Sequence, residues 1–352
     1  MPNILIIDDK VPDPVFGAGF PRAYRLLLSL IELGHKVYFF PTSRQTVANL
    51  DKDALRSFNI HVIDDVKEIE SLDAAIISRP HNVHYHMPYV KNHHPKAKII
   101  YDTEALWYRR YDLQLSITGR LPWWAYRYDE IGMAQQSDLC FVVNSEEKGI
   151  LESHGCKRVR ILAHALHTHT NGLDFDTRKD FLVVGGILEP DSSNEDALWW
   201  YLENSWTPVH EATGATINIT GHRHTERLLS NPFPQVNLAG LVENLVPMYE
   251  SHRVFVAATR FATGIPWKVH ESMAHGCPCV ISELLAKQLG AVPGKDAMVA
   301  ANNEEFINKS IELYKNKDLW QEVRENGFRL IKRDCDPENF KSVLQASLAE
   351  LL

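Results

Sequence analysis

Short, continuous runs of apolar residues recur along the whole chain, separated by stretches with helical spacing. The first run covers residues 3–8, and a strand that is apolar on both faces is buried on both faces. Similar runs follow at residues 36–40, 60–63, 74–78, 98–101, 139–143, 180–184, 216–220, 236–238 and 254–258. Strands that alternate with helices in this way predict an α/β fold with doubly wound parallel sheets.

The length and the linker pattern predict two domains. A chain of 352 residues holds roughly two domains of about 150 residues each. The strand pattern breaks into a polar stretch at residues 166–172, and a fresh series of strands and helices begins after it. We therefore expect the domain boundary close to residue 168.

Charge and cysteine content exclude several classes of protein. The net charge of −8 and the pI of about 6.1 give the whole chain no attraction to nucleic acid. The five scattered cysteines predict reduced thiols and a cytoplasmic location. No apolar run approaches the roughly 18 residues of a membrane span, and no basic segment precedes the first strand as in a signal peptide.

Residues 259–281 form the most informative stretch. A glycine turn follows a strand, a helix is predicted from residue 266 to residue 274, and a further strand covers 278–281. Ligands bind at this edge of a parallel sheet, and the free N–H groups of a helix start suit a phosphate. Lys268 and Glu271 share a helix face, so they can meet a phosphate and a ribose diol. A sheet crossover with an ordinary surface ion pair is the alternative.

Glycines follow several strands. Gly17 and Gly19 precede the first helix, but they form an incomplete dinucleotide fingerprint, and no acidic residue ends the second strand to hold a ribose. The pattern therefore disfavours an NAD site, although the loop lets a substrate approach the backbone. In the second half, glycines stand at four successive strand ends, where a ligand can approach the backbone closely: Gly185, Gly221, Gly240 and Gly264.

Candidate catalytic residues lie in the first half. Asp102 and Glu104 come just past a strand end, where a carboxylate can orient a hydroxyl or act as a general base. The alternative for Asp102 is the N-cap of a helix running through Tyr108. His81 and His84 have a metal-like spacing in an expected loop but lack a further ligand. A single histidine, His81, is the better functional hypothesis.

Residues 106–128 are rich in aromatic residues and arginines. Such a surface can hold an extended sugar, a lipid-linked acceptor or a membrane interface. The alternative is a pair of amphipathic helices that pack on the sheet, with the arginines reaching outward. The sequence leaves both interpretations open.

Two motifs resemble a bacterial GT-B glycosyltransferase of the retaining "group 1" kind. The first is the glycine loop at residues 17–19 with Gly34-His35-x-Val37 after its helix. The second and more specific motif runs from Gly264-Ile-Pro-Trp-Lys268-Val-His-Glu271 to Pro278. The form Gly-Ile-x-x-Lys is typical of a subset of that family.

The resemblance implies two Rossmann-like domains that face each other across a cleft. Residues 1–168 would bind the acceptor, residues 169–335 would bind the nucleotide-sugar donor, and a helix at 336–352 would return to the first domain. Glu271 would then bind the donor ribose, and the backbone N–H groups of Gly264 and Ile265 would bind the diphosphate. The donor would be a UDP-, GDP- or dTDP-linked sugar, with no cofactor and no divalent metal required.

The sequence departs from the family pattern at two places. Thr263 stands where the first of two family glutamates contacts the donor sugar. The Arg and Lys expected after the first glycine of the second domain are absent, so Arg260, Lys268 and Arg223 are the candidates for stabilising the diphosphate charge. The predicted donor-binding residues are Gly17, Gly19, Gly185, Gly186, Gly221, Arg223, Arg260, Thr263, Gly264, Ile265, Lys268 and Glu271.

The resemblance thus implies a glycosyltransferase of polysaccharide biosynthesis that moves a sugar from a nucleotide-diphosphate donor to a hydroxyl acceptor with retention. The acceptor would be a glycan, a lipid-linked molecule or a small molecule, oriented by Asp102 or His81. The alternatives are a GT-B nucleotide-sugar epimerase, which would release nucleotide without an acceptor, and a degenerate module that binds sugar or protein.

Overall fold

The computed structural model describes residues 1–12, 19–43, 55, 58–187, 191–221 and 233–352. Two of the predicted donor-binding residues, Gly17 and Arg223, lie outside these ranges. The described residues form two α/β units, each built around a parallel sheet. None of the helices among them combines the length and the apolar character that crossing a membrane demands.

The first unit contains a parallel sheet in which seven strands are described. They are β1 (Asn3–Asp8), β2 (Lys36–Pro41), β3 (Ile60–Val62), β4 (Ala74–Ser78), β5 (Lys98–Asp102), β6 (Leu139–Val142) and β7 (Val159–Ile161). The helices are α1 (Phe20–Glu32), α2 (Pro80–His93), α3 (Trp107–Thr118), α4 (Glu130–Gln135) and α5 (Ser145–Ser153), with a 3-10 turn at Val66–Glu68. The order β3-β2-β1-β4-β5-β6-β7 reverses at β1, which lies between β2 and β4.

The second unit contains a parallel sheet in which six strands are described. They are β8 (Lys179–Val184), β9 (Ile217–Thr220), β10 (Val236–Gly240), β11 (His252–Ala257), β12 (Cys279–Ser282) and β13 (Met298–Ala300). The helices are α6 (Ser193–Tyr201), which continues through a π turn at Leu202–Trp206 into α7 (Thr207–Thr213), α8 (Val246–Ser251), α9 (Trp267–Ala274), α10 (Glu283–Leu289), α11 (Asn303–Lys315) and α12 (Lys317–Asp334). The order β10-β9-β8-β11-β12-β13 reverses at β8.

Each sheet separates two hydrophobic layers, as the continuous apolar runs predict. In β1, Leu5 and Ile7 belong to one cluster, while Ile4 and Ile6 belong to another. Successive side chains of a strand point to opposite faces, so both faces of this strand are buried. The second sheet likewise lies between two clusters of buried residues, and the predicted doubly wound fold class is confirmed.

A last helix, α13 (Pro337–Leu351), follows the second unit but packs on the first. Phe340, Leu344 and Leu348 belong to the same buried cluster as the apolar residues of β1. Lys341 also pairs with Glu32 at the end of α1, at 3.2 Å. The helix therefore supplies part of the hydrophobic core of the first unit.

The carboxyl edges of the two sheets face each other. The loop after β11 reaches the first unit at Gly264, whose carbonyl accepts a 2.9 Å hydrogen bond from Asn144 Nδ2. Lys287 of α10 pairs with Glu146 of α5 at 2.7 Å. These contacts create a cleft between the edges at which parallel sheets bind their ligands.

Candidate functional site

The turns after β8 and β9 pack backbone against backbone. Gly221 has a φ of 135°, and a Cβ at this position would lie 2.3 Å from the carbonyl oxygen of Gly185. Only glycine fits there, because any side chain would push the two turns apart. The second sheet reverses its strand order at β8, next to these turns. At this point the cleft is bordered by main chain rather than by side chains.

Lys268 lies beneath these turns. Its Nζ donates a 2.8 Å hydrogen bond to Asn194 Oδ1, and Asn194 Nδ2 donates a 2.9 Å bond to the carbonyl of Gly186. Burial lowers the pKa of Lys268 to about 8, and no carboxylate pairs with it within the described ranges. Lys268 is partly buried, and removing a cation from water without an anionic partner is costly, so the position suits an anionic ligand.

Glu271 lies one helical turn after Lys268 on α9. Its Oε2 accepts a 3.2 Å hydrogen bond from the Tyr249 hydroxyl. Burial raises the pKa of Glu271 to about 7, although hydrogen bonds from Trp267 and Tyr249 act in the opposite direction. The side chain can therefore switch between carboxyl and carboxylate near neutral pH.

Arg260 differs from Lys268 because its charge is already paired. Its Nε donates a 2.8 Å hydrogen bond to Asp196 Oδ2, and its second nitrogen contacts the other carboxylate oxygen. The guanidinium remains about one-third exposed, at 34%. Of the two cations described here, Lys268 is the one without an acidic partner.

Gly264 joins the two units. Its N–H donates a 2.9 Å hydrogen bond to Glu147 Oε1 of α5, and with φ at 84° a Cβ there would lie 3.0 Å from the Glu104 carbonyl oxygen and 3.2 Å from Ala105 Cβ. In this arrangement a phosphate would have to displace Glu147 to reach the Gly264 N–H. Thr263, the preceding residue, is half-buried.

Ile265 borders a second space on the other side of this loop. A cavity of about 440 Å³ lies where both units and α13 meet, and Ile265, Asn144 and His270 are among its lining residues. Ile265 of the loop after β11 thus lies beside this cavity.

In the first unit, Arg79 holds a cluster of carboxylates at the sheet edge. It contacts Asp8 Oδ1 at 2.9 Å, Glu104 Oε2 at 2.9 Å and Asp9 Oδ2 at 3.3 Å. Gly19 lies against them, since a Cβ there would be 2.9 Å from Glu104 Oε2. Burial raises the pKa of Glu104 to about 8, although the charge of Arg79 acts in the opposite direction.

Asp102 is a buried ion-pair partner. It accepts two hydrogen bonds from Arg22, at 2.7 and 2.9 Å, and both side chains are only 1% exposed. Its alternative role as a helix cap is wrong, because Asp102 is the last residue of β5 and α3 begins at Trp107 with Leu106 as the N-cap. With its carboxylate enclosed, Asp102 faces Arg22 rather than the cleft.

His81 lies on the first turn of α2, so the expected loop at this position is wrong. Its Nε2 lies 2.5 Å from Asp9 Oδ1. His84, one turn later, packs its ring against Tyr85 and Tyr128. Among the described residues, no group of three or more His, Cys, Asp and Glu side chains is placed to hold a metal ion.

Sequence reasoning missed Asp9, Arg79 and Glu147 as site residues. The sequence did offer a signal for Asp9, which is the second of two consecutive aspartates at the end of the first strand. Arg79 and Glu147 carried no local signal, because their partners Asp8 and Gly264 are 71 and 117 positions away. Only the folded chain brings these residues together.

The aromatic segment exposes large side chains. Trp123 is 85% exposed, and Trp124, Tyr126, Leu115 and Ile117 are each more than one-third exposed. Tyr111 is buried, however, and Tyr126 donates a hydrogen bond to Asp112. Part of the segment therefore packs on the first unit, and part of it faces outward.

Residues 178–316 match the model of a family described as "Glycosyl transferases group 1", and this range includes Lys268 and Glu271. No curated protein matches the chain.

Solved structures resemble the whole chain. A sucrose-phosphate synthase from Thermosynechococcus elongatus has a TM-score of 0.71 at 11% identity, with 100% of this chain and 99% of that chain covered. A glycosyltransferase from Rickettsia africae has a TM-score of 0.72 at 10% identity, with 99% and 98% covered. Alr3699/HepE from Anabaena, in complex with UDP and glucose, has a TM-score of 0.67 at 11% identity and complete coverage of both chains. With the two facing sheets, these neighbours confirm the predicted GT-B fold.

Proposed function

We propose that the chain is a glycosyltransferase that moves a sugar from a nucleoside-diphosphate donor to a hydroxyl acceptor with retention. Residues 169–335 bind the donor in this proposal, and residues 1–168 together with 336–352 bind the acceptor. The match of residues 178–316 to a family of group 1 glycosyl transferases supports this division. We assign the reaction to polysaccharide biosynthesis in the cytoplasm, where the five buried cysteines stay reduced.

The observation that carries the proposal is the partly buried Lys268. Its ammonium group contacts the amide of Asn194 beneath Gly185 and Gly186, without a carboxylate partner within the described ranges. A diphosphate on these turns supplies the missing anion, and Lys268 stabilises the charge that develops as the glycosidic bond breaks. Arg260 adds a weaker positive field, because Asp196 already neutralises it.

Glu271 completes the donor site in this proposal. A ribose diol donates hydrogen bonds, and a carboxylate accepts two of them. Glu271 lies on the same helix as Lys268, so one helix presents a cation for the phosphate and a carboxylate for the ribose. The Anabaena neighbour bound to UDP makes a UDP-linked sugar the first donor to try, before GDP- and dTDP-linked sugars.

The remaining predicted donor residues contribute mainly through the backbone. Gly221 lets two turns of the second unit pack backbone against backbone, Gly19 lies against the Glu104 side chain in the first unit, and Thr263 belongs to the loop after β11. Gly264 and Ile265 position that loop through the contacts with the first unit. For the acceptor we assign His81 rather than Asp102, since Asp102 is enclosed with Arg22.

We also propose that residues 106–128 touch a membrane surface peripherally. Trp123 and Trp124 are exposed, and Arg120 and Arg127 lie beside them in the sequence. Aromatic side chains with a polar edge favour the membrane interface, and arginines are attracted to anionic lipids. A lipid-linked acceptor would then reach the first unit from that surface.

A screen of nucleotides and nucleotide sugars by thermal shift tests the donor site. A ligand at about 100 times its dissociation constant adds about 2.7 kcal/mol of stability. The Glu271→Ala variant is expected to lose ~1.5–3 kcal/mol of nucleotide binding in calorimetry, as is typical of a charged hydrogen bond. Glu325→Ala, an exposed glutamate of α12, is the matched control.

Product analysis with donor and acceptor then tests the reaction. Transfer of the sugar to a hydroxyl acceptor supports the proposal, whereas epimerisation or nucleotide release that needs no acceptor would identify the epimerase alternative. Unchanged affinity of Glu271→Ala for every nucleoside diphosphate would remove Glu271 from the donor site. If the chain binds sugars or proteins but no nucleotide, the alternative of a non-catalytic binding module is correct.

A further inference from the structure

The cavity of about 440 Å³ between the two units and α13 is a second space beside the proposed donor site. The ends of β6, β7, α10 and α12 border it together with α9 and α13. Its volume lies within the roughly 300–1,000 Å³ of small-molecule pockets. Ser145, Arg333 and Asn339 are exposed residues of its lining, so the cavity opens to solvent. A small ligand can therefore enter it.

The cavity is separate from the proposed donor site, although both border α9. His270 lines the cavity, whereas Lys268 lines the pocket beneath Gly185. Two positions along a helix correspond to a rotation of about 200°, so Lys268 and His270 leave α9 on opposite faces. Neither Lys268 nor Glu271 is among the described residues that line the cavity. A ligand there contacts the other side of the helix that presents the donor site.

Two buried histidines line the cavity. His164 and His270 are 5% and 2% exposed, and their Nδ1 atoms lie 3.1 Å apart. Burial lowers the pKa of His270 to about 4 and holds the pKa of His164 well below its ordinary value. Both rings are therefore neutral at physiological pH, and one Nδ1–H donates to the Nδ1 of the other ring.

This hydrogen bond determines what the two Nε2 atoms can do. The ring that donates from Nδ1 has a lone pair on Nε2, and the ring that accepts at Nδ1 carries its proton on Nε2. His164 Nε2 makes no hydrogen bond within the described ranges, and His270 Nε2 has a weak 3.9 Å contact with Cys335 Sγ. The two rings thus offer one donor and one acceptor. A hydroxyl group both donates and accepts, so it matches either ring.

The charges around the cavity favour an uncharged ligand. Arg333 and Asp334 are the charged residues of the described lining. They pair with each other, since Arg333 Nε donates a 2.7 Å hydrogen bond to Asp334 Oδ1. The pair leaves no net charge for an ionic ligand, and the neutral histidines add none. The cavity differs in this respect from the donor site, where Lys268 has no acidic partner within the described ranges.

Apolar side chains complete the lining. Phe340 and Leu289 are buried, and Ile265 is half-buried. Gln288 donates a 2.8 Å hydrogen bond from Nε2 to the carbonyl of Ala262, which fixes the orientation of its amide. Ligand sites combine such apolar walls with a few placed polar groups. A sugar ring fits this combination, because its edge carries hydroxyl groups and its faces carry C–H groups.

We propose that this cavity is a second ligand site, separate from the donor site, that takes an uncharged sugar unit. The Nε2 atoms of His164 and His270 bind its hydroxyl groups, and Phe340, Leu289 and Ile265 pack against the ring. Such a site binds a sugar whether or not the chain also transfers one, so it goes beyond the proposed function. A sugar bound there contacts both units and α13.

Binding of free sugars to the wild-type protein is the first test. Glucose, galactose and N-acetylglucosamine are titrated by calorimetry and ligand-observed NMR, up to concentrations well above the millimolar range of weak sites. We expect at least one of them to bind, and glucose-6-phosphate to bind more weakly than glucose, because no unpaired cation lines the described cavity. Failure of all three sugars to bind, or binding of glucose-6-phosphate without glucose, would overturn the proposal.

Two substitutions locate the bound sugar. His164→Phe keeps a ring beside Trp267, whose centroid lies 4.7 Å from that of His164, but removes the hydrogen-bonding nitrogens, and should weaken sugar binding roughly tenfold. Asn339→Trp fills the opening from an exposed position and should weaken binding at least as much. Gln345→Trp, an exposed residue of α13 outside the described lining, is the matched control and should bind sugar as the wild type does.

A direct readout comes from the histidine itself. The imidazole NMR signals of His164, identified by their loss in His164→Phe, should shift when sugar is added to the wild-type protein. If these signals do not move, or if Asn339→Trp binds sugar as tightly as Gln345→Trp, the sugar binds elsewhere and the second site is wrong. The comparison of the two tryptophan variants decides this even if His164→Phe does not fold, because both positions are exposed.

Discussion

Two side chains of the proposed donor site, Glu271 and Lys268, have pKa values that burial shifts in opposite directions. Burial raises the pKa of Glu271 to about 7 and lowers the pKa of Lys268 to about 8. The carboxylate form of Glu271 is lost as the pH falls below that value, and the ammonium form of Lys268 is lost as the pH rises above its own. Only a narrow range of pH gives both residues their charges.

We therefore expect the affinity for UDP to be highest between pH 7 and pH 8. Glu271→Gln should remove the fall on the acid side that the glutamate causes, while any titration of the phosphates remains. Lys268→Met should weaken binding and remove the fall on the alkaline side. Calorimetry over pH 6 to 9 measures both limbs, and a wild-type affinity that stays flat over this range would contradict the assignment.

Glu104 gives a prediction about stability rather than binding. Burial raises its pKa from 4.5 to about 8, so between these values the folded protein keeps a proton that the unfolded chain releases. The free energy of unfolding therefore falls as the pH rises through this window, and flattens above it. Glu104→Gln should reduce the fall, measured by denaturant unfolding at pH 5 to 8. A variant with the full wild-type pH dependence would show that Glu104 does not titrate this way.

The residues of the site differ in how far the sequence alone could reveal them. Lys268 and Glu271 can be predicted from the sequence because they share one helix face, which is a local relation. The cap role of Asp102 was wrong because its partner Arg22 is 80 positions away, and a buried ion pair overrides a local cap signal. The pairing of Asp9 with His81, 72 positions apart, has no signature in the chain at all.

Among the elements, the loop after β11 connects the donor helix with the opposite domain. Glu147 Oε1 accepts hydrogen bonds from Gly264 N at 2.9 Å and from Leu106 N at 3.2 Å. One carboxylate thereby ties the loop before α9 to the loop before α3. The position of Lys268 and Glu271 relative to the first unit depends on this link.

The substitution Gly264→Ala tests the link. Its methyl group would lie 3.0 Å from the Glu104 carbonyl oxygen and 3.2 Å from Ala105 Cβ, at a φ of 84°. Gly214→Ala is the matched control, since Gly214 has a φ of 68° and nothing within 4 Å. Both variants lose roughly 1 kcal/mol to the left-handed backbone.

We expect Gly264→Ala to be less stable than Gly214→Ala, by roughly 1–3 kcal/mol from crowding. Its transfer activity should also fall, whereas the activity of Gly214→Ala should not. Calorimetric melting and a transfer assay on both variants give the comparison. Equal melting temperatures for the two variants would mean that the contact between the two units at Gly264 does not contribute to the stability of the folded protein.

The positions of most strands were the best predicted feature among the elements, for a physical reason. A run of apolar residues as in β1 is buried on both faces, and a parallel sheet covered by helices on both sides satisfies that pattern. The glycine turn, helix and strand at residues 259–281 were likewise predicted within a few residues of α9 and β12. What the pattern could not show was that Gly264 contacts a second domain.

At the scale of the whole molecule, the outward side of residues 106–128 predicts binding to anionic membranes. Changing Trp123 and Trp124 to serine should reduce co-sedimentation with anionic lipid vesicles several-fold, since their apolar area no longer enters the interface. Neutral vesicles and high salt should weaken binding of the wild-type protein, because the arginine attraction is screened. Equal sedimentation of the variant and the wild type would exclude this surface.

The return of α13 to the first unit has a consequence for how the protein is made. Domains generally fold as units as they leave the ribosome, the first one before the next. Here Phe340, Leu344 and Leu348 complete the core that begins with β1, and the ribosome adds them only after the entire second unit. The first unit to be translated is thus the last to close its core, and until α13 arrives the apolar surface that this helix covers stays exposed.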